Sequence, residues 1–139
     1  MKRFLLLALT AGLLSGCSGT QDSKINIVCE IYHPEEKDGY TEKFFIDTED
    51  NLAIVETTLP ADDKYEESTE RRLGTLTITP RKYIVQYEHE NGGYQLRETY
   101  SFNKNDVSKV KPIYEIKEDS INYVIDKYAT YEADCVKGN

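Results

Sequence analysis

From Lys24 onward, apolar residues recur at every second position. Ile25, Ile27, Cys29 and Ile31 fall on one face of an extended chain. Phe44 and Ile46 continue the pattern over 40–47. The segment 51–58 offers two phases, Leu52 with Ile54 or Ala53 with Val55, and Thr48-Glu49-Asp50 is the polar turn before it. Leu76 and Ile78 mark a further strand, which Pro80 ends because it has no N–H for the ladder. Tyr83, Val85 and Tyr87, then Tyr94, Leu96, Tyr100 and Phe102, flank Glu90-Asn91-Gly92-Gly93. Asn-Gly between two alternating runs is a strong hairpin signal. After a turn at Asn103-Lys104-Asn105-Asp106, segments 109–117 and 121–133 carry Ile113, Tyr114 and Ile116, then Tyr123, Ile125, Tyr128 and Tyr131. The pattern predicts an all-β fold: a single antiparallel meander of about eight strands, either a small barrel or a half-open curled sheet. Such a barrel is filled by side chains or holds one small ligand.

One stretch breaks the rhythm. Residues 60–72 hold a single large apolar side chain, Tyr65, among Asp62, Asp63, Glu66, Glu67 and Glu70. Glu67 and Arg71 stand four apart, which would support a turn or two of helix after Pro60. One tyrosine is too narrow a stripe to hold a helix on a core. The stretch therefore reads as a charged loop, either a solvated connector or, over 59–72, a lid on a barrel mouth.

The amino-terminal end carries a different signal. Lys2 and Arg3 precede a run from Phe4 to Leu14 that is apolar except for Thr10 and Gly12. At about 1.5 Å per residue a helix of that length reaches roughly 17 Å, short of a ~30 Å hydrocarbon core. It is the pattern of a secretory signal rather than a permanent span. Leu14-Ser15-Gly16-Cys17 follows directly and matches a lipobox, so over residues 1–17 the chain resembles the bacterial lipoproteins. The resemblance implies cleavage before Cys17, a diacylglyceryl thioether on that cysteine, and usually an acyl group on the new amino terminus. Several acyl chains hold far more firmly than one, at about 0.8 kcal/mol per buried CH₂. The expected organisation is a signal peptide over 1–16, a lipidated flexible tether over 17–23 and a β-domain over 24–139. Ser18 in place of aspartate implies, by the same resemblance, the outer membrane facing the periplasm where the source cell has two membranes.

Export places Cys29 and Cys135 in a disulfide-permissive compartment. Their pairing would close a loop of about a hundred residues, worth on the order of 4–5 kcal/mol by chain entropy; two free thiols are the alternative. Residues 17–139 carry 15 basic and 25 acidic residues, which excludes nucleic-acid binding by bulk electrostatics. The charge is uneven. Residues 30–70 hold 14 acids against Lys37, Lys43 and Lys64, whereas 71–139 are close to neutral. A face built from the first half, with Glu35, Glu36, Asp62, Asp63, Glu66 and Glu67, would attract a cationic partner.

Little else selects a chemistry. His89 lies between Glu88 and Glu90, but in a strand those carboxylates point to the opposite face, so the three do not form a metal site. His33 precedes Pro34-Glu35-Glu36. The acidic run Asp47-Thr48-Glu49-Asp50-Asn51 lacks the glycine and distant glutamate of a calcium loop. No nucleophile elbow, phosphate-binding glycine loop or His-Glu-x-x-His occurs. The sequence therefore points to no enzyme, metal or cofactor. Tyr83, Tyr87, Tyr94 and Tyr100 fall on the central hairpin, either as packing or as a partner-binding patch.

Two functions follow as expectations. One is a membrane-anchored, non-enzymatic interaction module for a basic envelope or extracellular protein. In size, lipobox, paired cysteines and β-rich character the chain is similar to small periplasmic lysozyme inhibitors, a similarity that implies lysozyme as one such partner. Their Ser-Gly loop and paired lysine-glycine segment have no counterpart here. The other is a small-ligand carrier with a cavity in the barrel.

Overall fold

The computed structural model describes residues 23–35 and 39–138. Among them are nine strands: β1 (Lys24–Tyr32), β2 (Gly39–Asp47), β3 (Leu52–Leu59), β4 (Ser68–Ile78), β5 (Lys82–Asn91), β6 (Tyr94–Asn103), β7 (Ile113–Lys117), β8 (Tyr123–Ile125) and β9 (Glu132–Lys137). They form one antiparallel sheet in the order β8-β7-β6-β5-β4-β3-β2-β1-β9, curled into a half-barrel. The final expected segment, 121–133, proves to be two elements. Asp126 turns the chain: its N–H bonds to the Tyr114 carbonyl and its Oδ1 accepts the Tyr128 N–H. The chain then crosses to lay β9 beside β1.

Alternation sorts the side chains as the pleat requires. Ile27, Cys29 and Ile31 of β1 are buried, as are Phe44 and Ile46 of β2, Leu76 of β4, Val85 and Tyr87 of β5, and Tyr100 and Phe102 of β6. In β3 the buried phase is Ala53 with Val55. Phe44 lies at the centre, its ring 4.7 Å from that of Tyr100 and 4.9 Å from that of Phe102. Each apolar side chain so enclosed contributes about 1.5–3 kcal/mol. Cys29 and Cys135 are directly opposite in the β1–β9 ladder with sulfurs 2.01 Å apart, at disulfide distance. The β5–β6 hairpin turns on Gly92 and Gly93, both at positive φ (59° and 83°) as a two-residue primed turn demands, while Asn91, expected within the turn, pairs with Tyr94 as the last residue of β5.

β4 is where the fold departs from expectation. Ser68–Arg72, read from sequence as part of a charged loop, form the first half of this strand, and only 60–67 connect it to β3. Its alternation is polar because one face meets solvent and the other meets a polar cleft, so no apolar period marks it. The strand also changes partner along its length. Ser68–Gly74 pair with β3, whereas Thr75–Ile78 pair with β5. Gly74 sits at the changeover, where a Cβ would come within 3.0 Å of Val85 Cγ1. Glycine permits this close approach at the bend. Beyond it the strands diverge: the first half of β4 stays with β3, while Tyr87–Asn91 of β5 pair only with β6.

The meander sends successive connections to alternate ends. The β1–β2, β3–β4, β5–β6 and β7–β8 connections share one end, towards which β4 and β5 splay apart. Ser23 lies at the other end, where its carbonyl accepts the Thr48 N–H at 2.7 Å.

Candidate functional site

Splaying of β4 from β5 opens a cavity of about 440 Å³. Glu70 and Arg72 of β4 line one side, and His89, Glu90 and Asn91 of β5 the other. Its remaining wall includes Tyr40, Glu42, Glu98, Tyr114 and Tyr131. Tyr114 and Tyr131 pack with ring centroids 5.4 Å apart, bridging β7 and the approach to β9.

Two carboxyl groups are buried at this wall, Glu42 (1 % exposed) on β2 and Glu98 (5 %) on β6. Both occupy inward positions of their strands, in phase with Phe44 and with Tyr100. The Tyr87 hydroxyl bridges them, in close contact with Glu42 Oε1 and 2.6 Å from Glu98 Oε2. Glu98 also receives the Tyr100 hydroxyl at 3.0 Å and faces His89 Nε2 at 2.7 Å. The chain of hydroxyls continues from Tyr100 to Tyr114 (3.3 Å) and on to Tyr40 (3.4 Å). On the other side, Thr57 donates to Glu42 Oε1 at 3.3 Å and receives Arg72 Nη1 at 3.2 Å. Arg72 is in turn paired with Glu70.

Proton counting constrains this cluster. A phenol has one proton and two carboxylate oxygens contact it, so only one of those contacts can be a Tyr87 donation. The other needs a proton on the carboxyl itself. Glu98 has Tyr100 and His89 as further polar contacts; Glu42 has Thr57 at Oε1, while its Oε2 has no hydrogen-bond partner among the described residues. The extra proton therefore belongs on Glu42. Its carboxyl is pushed up to about 7, first by burial and then by the charge of Glu98. Tyr40, Tyr87, Tyr100 and Tyr114 are all raised, chiefly by burial and the nearby carboxylates, and stay neutral donors.

The residues singled out from sequence distribute unevenly. His89 enters the site with Glu98 of the neighbouring strand rather than with Glu88 or Glu90 as its contact. Tyr87 and Tyr100 belong to the site, Tyr83 packs beside the core, and Tyr94 is exposed. Glu35, Asp62, Asp63, Glu66 and Glu67 are exposed, in the β1–β2 and β3–β4 connections at the cleft end. Cys17 and Glu36 lie outside the described residues. Sequence reasoning missed Glu42 and Glu98. A signal existed, since each is a charged residue at an inward position of an otherwise apolar or aromatic alternation. Among the described residues, no three His, Cys, Asp or Glu side chains are grouped to hold a metal ion. No protein-family model, curated protein or solved structure matches this chain.

Proposed function

We propose that the chain is a lipid-anchored, non-enzymatic binding protein of the cell envelope whose receptor site is the cleft between β4 and β5. The observation that carries this reading is a cavity of about 440 Å³ with convergent polar groups, at the open end of an otherwise apolar interior. That volume is in the range of small-molecule sites, roughly 300–1,000 Å³. The non-enzymatic part is supported by the Tyr87 phenol, which stands between the two buried carboxyls and contacts both. The anchor rests on the lipobox at Cys17. A tether entering beside Ser23 would leave the cleft facing away from the membrane.

Two measurements test the reading. Replacing Cys17 with alanine should abolish metabolic labelling by palmitate; retained labelling would remove the anchor from the proposal. An amide-resolved NMR screen of small polar fragments against the full chain should give shifts concentrated at Tyr87, His89, Leu96 and Tyr114. A screen without any response there would leave the cleft without a receptor role. A second reading, capture of a basic protein such as a lysozyme, is favoured by the exposure of Asp62, Asp63, Glu66 and Glu67 at the mouth.

A further inference from the structure

Resting on the cleft as a receptor site, we propose that its ligand is a small organic cation bearing a primary ammonium group, which enters as a proton leaves Glu42. Glu42, Glu70, Glu98 and Asp126 line the cavity against Arg72 and His89, while Glu90 and Glu115 border it from strand positions whose side chains alternate to the outer face. Both of those basic groups already contact carboxylates, Arg72 with Glu70 and His89 with Glu98 at 2.7 Å. The Glu115 carboxylate is paired with Arg97 at 2.7 Å on the outer face, across the β6–β7 ladder. An anionic ligand would thus face more acid than base, and the basic groups at the wall are engaged. A cation meets surplus acid and the tyrosines 40, 114 and 131, whose aromatic faces favour positive charge.

The requirement for N–H donors comes from Glu42. Its Oε2 is buried and lacks a hydrogen-bond partner among the described residues, an unfavourable state for a polar atom. Its Oε1 shares the single proton of Tyr87 with Glu98. The groups facing it are Tyr87 of β5, Glu98 and Tyr100 of β6, Tyr114 of β7, Tyr40 of β2 and, through Thr57 of β3, Arg72 of β4. With Arg72 committed to Glu70, the compensating charge is either a proton on Glu42 or a cation from outside. The exchange balances: the Glu42 carboxyl releases one proton to solvent, the Tyr87 phenol is left donating to one carboxylate only, and one ammonium, brought in already charged, replaces the lost proton as donor to Glu42. Because burial and Glu98 hold that carboxyl near 7, the ammonium competes with the proton below that pH and not above it.

The test is isothermal titration calorimetry on the full chain with 1,4-diaminobutane, using 1,4-butanediol and succinate as neutral and anionic comparisons of similar length. Each is run at pH 6 and pH 8 in two buffers of different ionisation heat. The diamine is expected to bind in preference to both comparisons and about tenfold more tightly at pH 8 than at pH 6, with close to one proton released at pH 6. Glu42→Gln keeps the neutral shape and should lose both the pH dependence and the proton release. The wild-type buffer comparison stands even if that variant folds poorly. Binding of the diol or succinate as well as the diamine would overturn the ammonium assignment, as would a pH dependence that survives in Glu42→Gln or no diamine binding at either pH. In those cases fragment-induced NMR shifts at the cleft would still preserve the receptor reading, and their absence would remove it too.

Discussion

A carboxyl group removed from water and set against a second one tends to keep its proton, and Glu42 shows how a neighbouring tyrosine turns that tendency into geometry. The short bridge through Tyr87 holds together only while Glu42 or Glu98 carries a proton, and Glu42 is the one whose second oxygen has no partner among the described residues. The consequence for stability has a definite sign. A carboxyl raised from an ordinary value near 4.5 to about 7 binds its proton in the folded chain at pH values where the unfolded chain has released it. Its stabilising contribution is thus fully present below about 4.5 and is lost as pH rises to about 7. The difference is on the order of 3 kcal/mol at 1.36 kcal/mol per unit. Urea unfolding of the wild type between pH 5 and pH 7.5 should show a midpoint that falls as pH rises. Glu42→Gln should flatten that trend, since glutamine cannot ionise. An identical slope in both proteins would mean that the extra proton sits elsewhere in the cluster.

At the scale of the strand, legibility followed the apolar period. β1, β2, β5 and β6 carry runs such as Ile25-Ile27-Cys29-Ile31, and the hydrophobic face that reads out in sequence is the one buried against Phe44. The Asn91-Gly92-Gly93 turn was equally readable, because only a residue tolerant of positive φ suits it. The first half of β4 was not. Its face to the interior is polar, Ser68, Glu70 and Arg72 at the cleft with Arg72 meeting Thr57 at 3.2 Å, so that face looks like surface. The division of 121–133 was hidden for a related reason. β8 is three residues long, and Val124 and Ile125 remain largely exposed, so no burial pattern fixes its ends. The site suffered most, because it is made where four properties change at once. Apolar alternation gives way to Glu42 and Glu98, β4 exchanges partners at Gly74, β5 parts from β4, and the charged connections begin. A one-dimensional pattern registers each of these as an ending. Only the pairing of strands distant in sequence shows that they enclose a single cleft.

For the molecule as a whole, the same topology that opens the cleft also places the acidic connections around it. Glu35 in the β1–β2 connection and Asp62, Asp63, Glu66 and Glu67 in the β3–β4 connection are exposed at the end where β4 and β5 separate. Ser23, through which a lipid tether would enter, lies at the opposite end. Asp62 also organises its own loop, accepting the N–H groups of Lys64 and Tyr65 at 2.7 Å each, so the loop charges are partly ordered. Charges of one sign around a concave opening focus the field and raise the local concentration of oppositely charged ligand. Their reach is set by salt, with a Debye length of ~10 Å at 0.1 M and ~3 Å at 1 M. Converting Asp62, Asp63, Glu66 and Glu67 together to lysine should therefore weaken 1,4-diaminobutane binding several-fold at 0.1 M salt. At 1 M salt parent and variant should bind alike, because the substitutions leave the Glu42 wall untouched. A loss that persists undiminished at 1 M would mean that the connection touches the ligand directly. No loss at 0.1 M would mean that the acidic rim does not serve the cleft. Immobilised full chain exposed to lysozyme over the same salt range separates the second reading. Capture at 0.1 M that disappears both at 1 M and in the reversed variant would assign the rim to a basic protein, and absence of capture would leave it to small cations alone.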